Sequence, residues 1–234
     1  MHLLTASGVV LAFLAAAETC APEPDLRKVF LWLALAVVVD SADGPLARRW
    51  RVKHGAPLID GRTIDDIVDY LTFTFLPVLL AWRMGWLPEP AAAWAAPALV
   101  ASLLGFANAG AKDEEAGFFL GFPSYWNIAV FYAGIVAARW GLWPNAAMFA
   151  ALTVLTVLPV RFLYPNLAPR PWKLPVMAGA VAWTACLVAM LPRYPDVPGW
   201  LLALSLVYPA FYALLSLLVD PRRRPRDPRG APGV

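Results

Sequence analysis

A helix that crosses a bilayer needs about 20 consecutive, mostly apolar residues, and runs of that kind fill most of this chain. They lie near residues 2–18, 26–47, 63–82, 91–110, 123–138, 145–162, 174–191 and 198–219. Of 234 residues, 60% are hydrophobic and 15% are charged, against roughly 45–50% and about 25% in soluble domains. The expected fold is all-α, a polytopic transmembrane bundle of about eight spans, and no soluble domain of useful size remains outside it. Residues 1–219 read as one membrane-embedded domain. Residues 220–234 read as a basic, proline-rich and disordered tail that fixes topology or rests on anionic lipid; nothing suggests a nucleic-acid partner.

The first run imitates a secretory signal, with Ala15-Ala16-Ala17 as a small-residue cleavage site, but only His2 stands where a positive leader is required. It reads better as a first span. Cys20 and Cys186 have no metal-ligand spacing and fall at different membrane depths, so both read as structural and unbridged.

Cytoplasmic loops collect Lys and Arg. With the amino terminus in the cytoplasm and eight spans, fourteen basic residues lie on the cytoplasmic side, among them Arg48, Arg62, Lys112, Arg161, Arg170 and Lys173, and five on the other. That bias places both termini in the cytoplasm and the Pro88–Pro90 loop outside.

Against this apolar background the carboxylates stand out. Asp40 and Asp43 end the run from Phe30 to Val39, and Asp65, Asp66 and Asp69 open the third run. A charged residue at a membrane helix centre costs about 2.5–3.5 kcal/mol on the insertion scale, and those that persist there are usually paired, metal-bound or functional. Asp40 and Asp43 are three apart and Asp65 and Asp69 four apart, so each pair shares a helix face. If the faces meet, four carboxylates converge at the cytoplasmic end. Divalent cations relieve such repulsion, and hard oxygen donors suit magnesium or manganese. Gly44 and Gly61 would let a bulky ligand approach the backbone. The plainer reading treats Asp65 and Asp66 as first-turn residues favoured by the helix dipole, with Thr63 as the cap. It does not account for Asp40 and Asp43, which end a span, or for Asp69, which lies deeper. Asp66 points about 100° from Asp65 and fits the plainer role.

Asp40, Asp43, Gly44, Ala47, Arg48, Gly61, Asp65 and Asp69 stand in one order that resembles the signature of the CDP-alcohol phosphotransferase family. Twelve residues separate Arg48 from Gly61, longer than is usual in the family, and this spacer resembles that of the bacterial phosphatidylcholine synthase branch. His2-Leu3-Leu4-Thr5-Ala6-Ser7-Gly8, Asp66-Ile67-Val68-Asp69-Tyr70, and Phe118 to Pro123 with Trp126-Asn127 are similar to stretches of the same branch. The resemblance implies an enzyme of the bacterial inner membrane with its site facing the cytoplasm. Its reaction would transfer the phosphatidyl group of CDP-diacylglycerol to choline, giving phosphatidylcholine and CMP. It implies that Asp40, Asp43, Asp65 and Asp69 hold two Mn2+ or Mg2+ ions and that Asp69 is the general base. Gly44, Ala47 and Gly61 would line the cytidine pocket, Arg48 would touch the diphosphate, and Thr5 would add a contact to the donor. Dimers are usual in the family, which admits a homodimer here.

A quaternary ammonium makes no strong hydrogen bonds and is bound by aromatic faces, sometimes with a carboxylate. Glu114, Phe118, Phe119, Tyr125 and Trp126, with Tyr70 beside Asp69, offer both, and Glu114, Tyr125 and Trp126 are expected to contribute most. The same aromatics could instead form an interfacial belt. Two rival functions stay open. Serine, inositol or glycerol phosphate could be the acceptor, the last recognised by Arg161, Arg170 and Lys173. A cation transporter could also use intramembrane aspartates, though no broken midplane helix is expected here.

Overall fold

The computed structural model describes residues 2–50, 60–108, 110–113 and 117–220, with the backbone alone described for 2–5, 42–50, 112 and 113. The fold is mostly helical. Helix α1 spans His2–Thr19 and α2 spans Leu26–Trp50. Between them the chain turns through Pro22 and Pro24, and Asp25 begins α2 by accepting from the Arg27 N–H at 3.0 Å. The third apolar run is one continuous rod of α3 (Gly61–Asp69), a π-helical stretch (Tyr70–Phe75) and α4 (Leu76–Arg83). Then follow α5 (Ala92–Ala107), α6 (Trp126–Trp140), α7 (Trp143–Val157), α8 (Arg170–Met190) and α9 (Gly199–Val219).

An entirely α-helical fold is corrected in one place. Strands β1 (Lys112–Asp113), β2 (Phe118–Leu120) and β3 (Arg161–Leu163) form an antiparallel sheet in the order β1-β2-β3, with Phe118 opposite Leu163 and Leu120 opposite Arg161. Two expected runs therefore end early. Helix α5 stops at Ala107, where Asn108 turns extended. Helix α7 stops at Val157 because Leu158 precedes Pro159 and adopts φ −75°, ψ 144°, the extended geometry that a following proline imposes.

The core lies where α1, α2, α4 and α6 meet, and is built on residues such as Val29, Leu80, Trp126, Ile135 and Phe149. Small residues set the closest approaches. A Cβ on Gly8 of α1 would stand 2.7 Å from Val68 Cγ1, so glycine at this position lets α1 pack directly on α3. Tyr132 accepts from Trp183 Nε1–H at 3.1 Å and its hydroxyl meets Ser205 Oγ at 3.1 Å, which links α6 to α8 and α9. A second, smaller cluster of Phe118, Leu163, Ala168, Val176 and Leu215 joins the sheet to α8 and α9. Cys20 and Cys186 are free thiols.

Among the described residues, two helical stretches, Arg170–Arg193 and Gly199–Val219, are long and apolar enough to cross a membrane. The apolar helices Ala6–Thr19, Ala92–Ala107 and Trp143–Val157 are shorter. Leu174, Val181, Val188, Trp200, Val207 and Leu218 are all more than 60% exposed. Such a continuous apolar surface is foreign to soluble monomers and suits contact with lipid.

Gly121 ends β2 at φ +83°, and a Cβ there would collide with the Thr156 carbonyl oxygen. Gly121→Ala is expected to destabilise the fold by about 2 kcal/mol or more, from the left-handed backbone penalty and this clash, seen as a lower midpoint of thermal unfolding in detergent. An unchanged midpoint would contradict the tight β2–α7 junction.

Candidate metal centre

Helix α2 carries Asp40 at the end of its apolar stretch, and α3 carries Asp65 and Asp69 one turn apart. Each is half-buried, and each offers a carboxylate oxygen such that these atoms all lie within 4.8 Å of one another. Three hard anionic donors from two helices, so close, match a divalent cation that prefers oxygen ligands. The residues present therefore fit such an ion. Asp43 sits three residues further along α2; its side chain, and those of Ala47 and Arg48 and the surroundings of Gly44, lie outside the described residues, as does the side chain of Thr5. Gly61 is the first residue of α3.

The start of α3 is fixed independently of the three carboxylates. Its cap is Asp60 rather than Thr63: Asp60 accepts from the Arg62 N–H at 3.1 Å and from the Thr63 hydroxyl at 2.7 Å. The Thr63 hydroxyl foremost, with the Arg62 N–H, holds the Asp60 carboxyl below its ordinary range, so the cap is ionised at neutral pH. Asp66 pairs with Arg62 at 3.7 Å. With the ends of this turn occupied, Asp65 and Asp69 are left on the face that meets α2.

Directly after Asp69 the rod changes to π-helix. Thr72 returns its hydroxyl to the Val68 carbonyl at 2.9 Å, and the Thr74 hydroxyl reaches the Ser124 carbonyl at 3.5 Å. A π-turn holds more residues than an α-turn and is frequent at functional sites. Here it lets the face bearing Asp65 and Asp69 be set apart from the face by which α4 packs on α6.

The aromatic candidates separate into distinct surroundings. Tyr125, at the head of α6, stands within electrostatic reach of Asp40 and Asp69, and also of Tyr164 and Tyr208. Phe119 stacks on Tyr164 with ring centroids 4.3 Å apart. Trp126 is wholly enclosed, its Nε1–H donating to Ser102 Oγ at 2.8 Å and its ring against Phe149 at 4.9 Å. Tyr70 directs its hydroxyl to the Leu99 carbonyl at 3.2 Å and its ring to Phe106. Phe118 is buried under the Arg161 guanidinium, 5.0 Å from the ring centre, and Glu114 lies outside the described residues. Arg161 is also paired with Asp220 at 3.5 Å in a buried setting, whereas Arg170 and Lys173 are exposed at the start of α8. These three cations do not form the convergent phosphate cluster considered above.

Tyr164, Tyr208 and Tyr212 were not singled out from the sequence. Tyr208 and Tyr212 stack at 6.3 Å on one face of α9, and the signal was their four-residue spacing in a mostly aliphatic helix.

No family model matches the chain. Curated relatives do. A phosphatidylcholine synthase of Rhizobium johnstonii is 36% identical over 229 residues, covering 94% of this chain and 89% of the relative. One from Agrobacterium fabrum is 37% identical over 207 residues, covering 86% and 81%. One from Pseudomonas aeruginosa is 38% identical over 166 residues, covering 70% and 68%.

Titration with Mn2+, followed by the paramagnetic signal of the free ion, checks the centre. Asp40→Asn, Asp65→Asn and Asp69→Asn are each expected to weaken binding by about tenfold or more, since affinity follows the charge of the ligand set. Asp66→Asn should stay within about threefold, because its partner is Arg62. Equal affinities for all four variants would rule the centre out.

Proposed function

The chain belongs to the phosphatidylcholine synthase family, and on that premise we infer that it transfers the phosphatidyl group of CDP-diacylglycerol to choline, releasing phosphatidylcholine and CMP. The observation that carries this reading is the meeting of Asp40, Asp65 and Asp69 in a chain whose relatives share its sequence over most of its length. Reaction at a lipid-linked diphosphate needs charge neutralisation and positioning more than covalent help.

In this reading Asp40, Asp43, Asp65 and Asp69 hold the divalent cations, two of them, manganese or magnesium. Bound there, the cations would neutralise the diphosphate and the charge that develops on attacking and leaving oxygens. Asp69 accepts the proton of the choline hydroxyl. The choline oxygen then forms its bond to the phosphorus bearing diacylglycerol, the phosphoanhydride bond to CMP breaks, and CMP leaves with the electron pair. Arg48 steadies the diphosphate, Gly44, Ala47 and Gly61 admit the cytidine, and Thr5 adds a donor contact. Of the aromatic candidates for choline, Tyr125 has the support of its nearness to Asp40 and Asp69.

The proposed setting is a bacterial inner membrane crossed about eight times, with both termini and the site on the cytoplasmic side, and with a homodimer as the working assembly. The exposed apolar faces of α8 and α9 and the excess of basic residues in one set of loops support it. The membrane domain, expected over 1–219, takes in Asp220, which is buried against Arg161, and the residues after it act as a cytoplasmic tail.

Purified protein given CDP-diacylglycerol, Mn2+ or Mg2+ and a panel of alcohols is expected to form phosphatidylcholine from choline, and no comparable product from serine, inositol or glycerol phosphate. Chelation should abolish turnover and added cation restore it. Asp69→Asn should lower kcat by about 10²–10⁴-fold, the usual worth of a general base. A different preferred acceptor, or an Asp69→Asn enzyme of normal rate, would refute the reading. For the topology, a reporter at the carboxyl terminus should be cytoplasmic and one in the Pro88–Pro90 loop external; the reverse pattern would put the site on the wrong side of the membrane.

A further inference from the structure

Four tyrosines from three separate parts of the chain come together, and one of them, Tyr125, stands within electrostatic reach of Asp40 and Asp69. Tyr125 heads α6, Tyr164 follows β3, and Tyr208 and Tyr212 belong to α9. Tyr125 interacts electrostatically with Tyr164 and Tyr208 as well as with Asp40 and Asp69, and Tyr212 with both Tyr125 and Tyr208. All four are partly exposed, unlike Trp126, which is wholly enclosed.

Their rings are held in place. Tyr212 donates its hydroxyl to the Leu163 carbonyl at 2.5 Å and Tyr208 donates to the Val176 carbonyl at 3.1 Å. Tyr208 sets an edge of its ring against α8 where Gly179 leaves room; a Cβ there would stand 2.7 Å from the ring. Phe119 backs Tyr164 at 4.3 Å. The buried pair of Arg161 and Asp220 joins β3 to the end of α9, and so fixes Tyr164 relative to Tyr208 and Tyr212. Electron-rich rings with fixed planes, near anionic groups, suit a cation too heavily methylated to be hydrogen-bonded.

We propose that Tyr125, Tyr164, Tyr208 and Tyr212 form an aromatic cage that holds the trimethylammonium group of choline and thereby selects the acceptor. The proposal rests on the reading that choline is the acceptor. In it the cage binds the charged end of choline while Asp69 meets the hydroxyl end, so one small substrate is gripped at both ends and oriented for attack. Phe119 is a positioning residue that holds the plane of Tyr164, and Gly179 leaves room for the edge of the Tyr208 ring.

The test uses the full chain in nanodiscs, with Tyr164, Tyr208 and Tyr212 changed singly to Leu and to Phe. The probes are choline and 3,3-dimethylbutan-1-ol, its neutral isostere. The Leu variants are expected to raise KM for choline about tenfold or more, to leave KM for CDP-diacylglycerol within about threefold, and to lose most of the preference for choline over the isostere. The Phe variants keep the ring and lose only the hydroxyl, so they should raise the choline KM by less than the Leu variants do and keep the preference for choline; their activity also shows that the fold tolerates change there. Calorimetric binding of choline should weaken in parallel with KM. Leu variants that bind and discriminate like the native protein, or that raise both KM values together, overturn the cage. A native enzyme that makes no lipid product from choline overturns the acceptor reading and the cage with it. Product formation from choline with an unaffected Leu series overturns the cage alone.

Discussion

Three carboxylates whose oxygens lie within 4.8 Å of one another, at the end of the apolar stretch of α2 and in α3, are the constraint on which the rest depends. At an effective dielectric constant of about 20, each ionised pair at that separation repels by on the order of 3 kcal/mol. Net stabilities of whole domains are only about 5–15 kcal/mol, so uncompensated repulsion of this size would push α2 and α3 apart. The packing holds them together: Gly8 lets α1 lie directly on α3, and α1 also packs along α2. The natural compensation is a divalent cation, whose binding then adds to the stability of the helix pair.

The remainder of the fold supplies walls for that centre. Short helices and a small sheet share the task. Because α7 ends at Val157, the chain has length to spare for β3, and β3 carries Arg161 and leads to Tyr164. A buried ion pair is weak grounds for stability but a recognised means of fixing register. The Arg161–Asp220 pair, capped by the Phe118 ring, fixes the end of α9 against the sheet. The tyrosines of α9 therefore stand at a set height against β3, where Tyr212 reaches the Leu163 carbonyl.

The carboxylate cluster was legible in the sequence because it obeys local rules. Charges were out of place in apolar runs, and the Asp65–Asp69 spacing keeps them on one face whatever the tertiary packing. The pairing of Asp66 with Arg62 at i,i+4 follows from the same rule. The helical rods were legible from their apolar runs, though their ends were not: Pro159 marks the end of α7, yet apolar residues resume on both sides of Arg161 and hid the strand. The π-turn left no mark either, since six apolar and hydroxyl residues, Tyr70 to Phe75, fit either helical period. The tyrosine wall was the least legible part. Tyr125 and Tyr208 are brought together only by the way α6, β3 and α9 assemble, and Trp126, its neighbour in sequence, is turned the opposite way into the core.

The most direct test of the central claim is to locate the cation itself. Crystals of the protein grown with Mn2+ should give an anomalous-scattering peak about 2.0–2.6 Å from carboxylate oxygens of Asp40, Asp65 and Asp69 together. A peak bound elsewhere, or a map in which these three carboxylates face apart with no ion between them, would contradict the account.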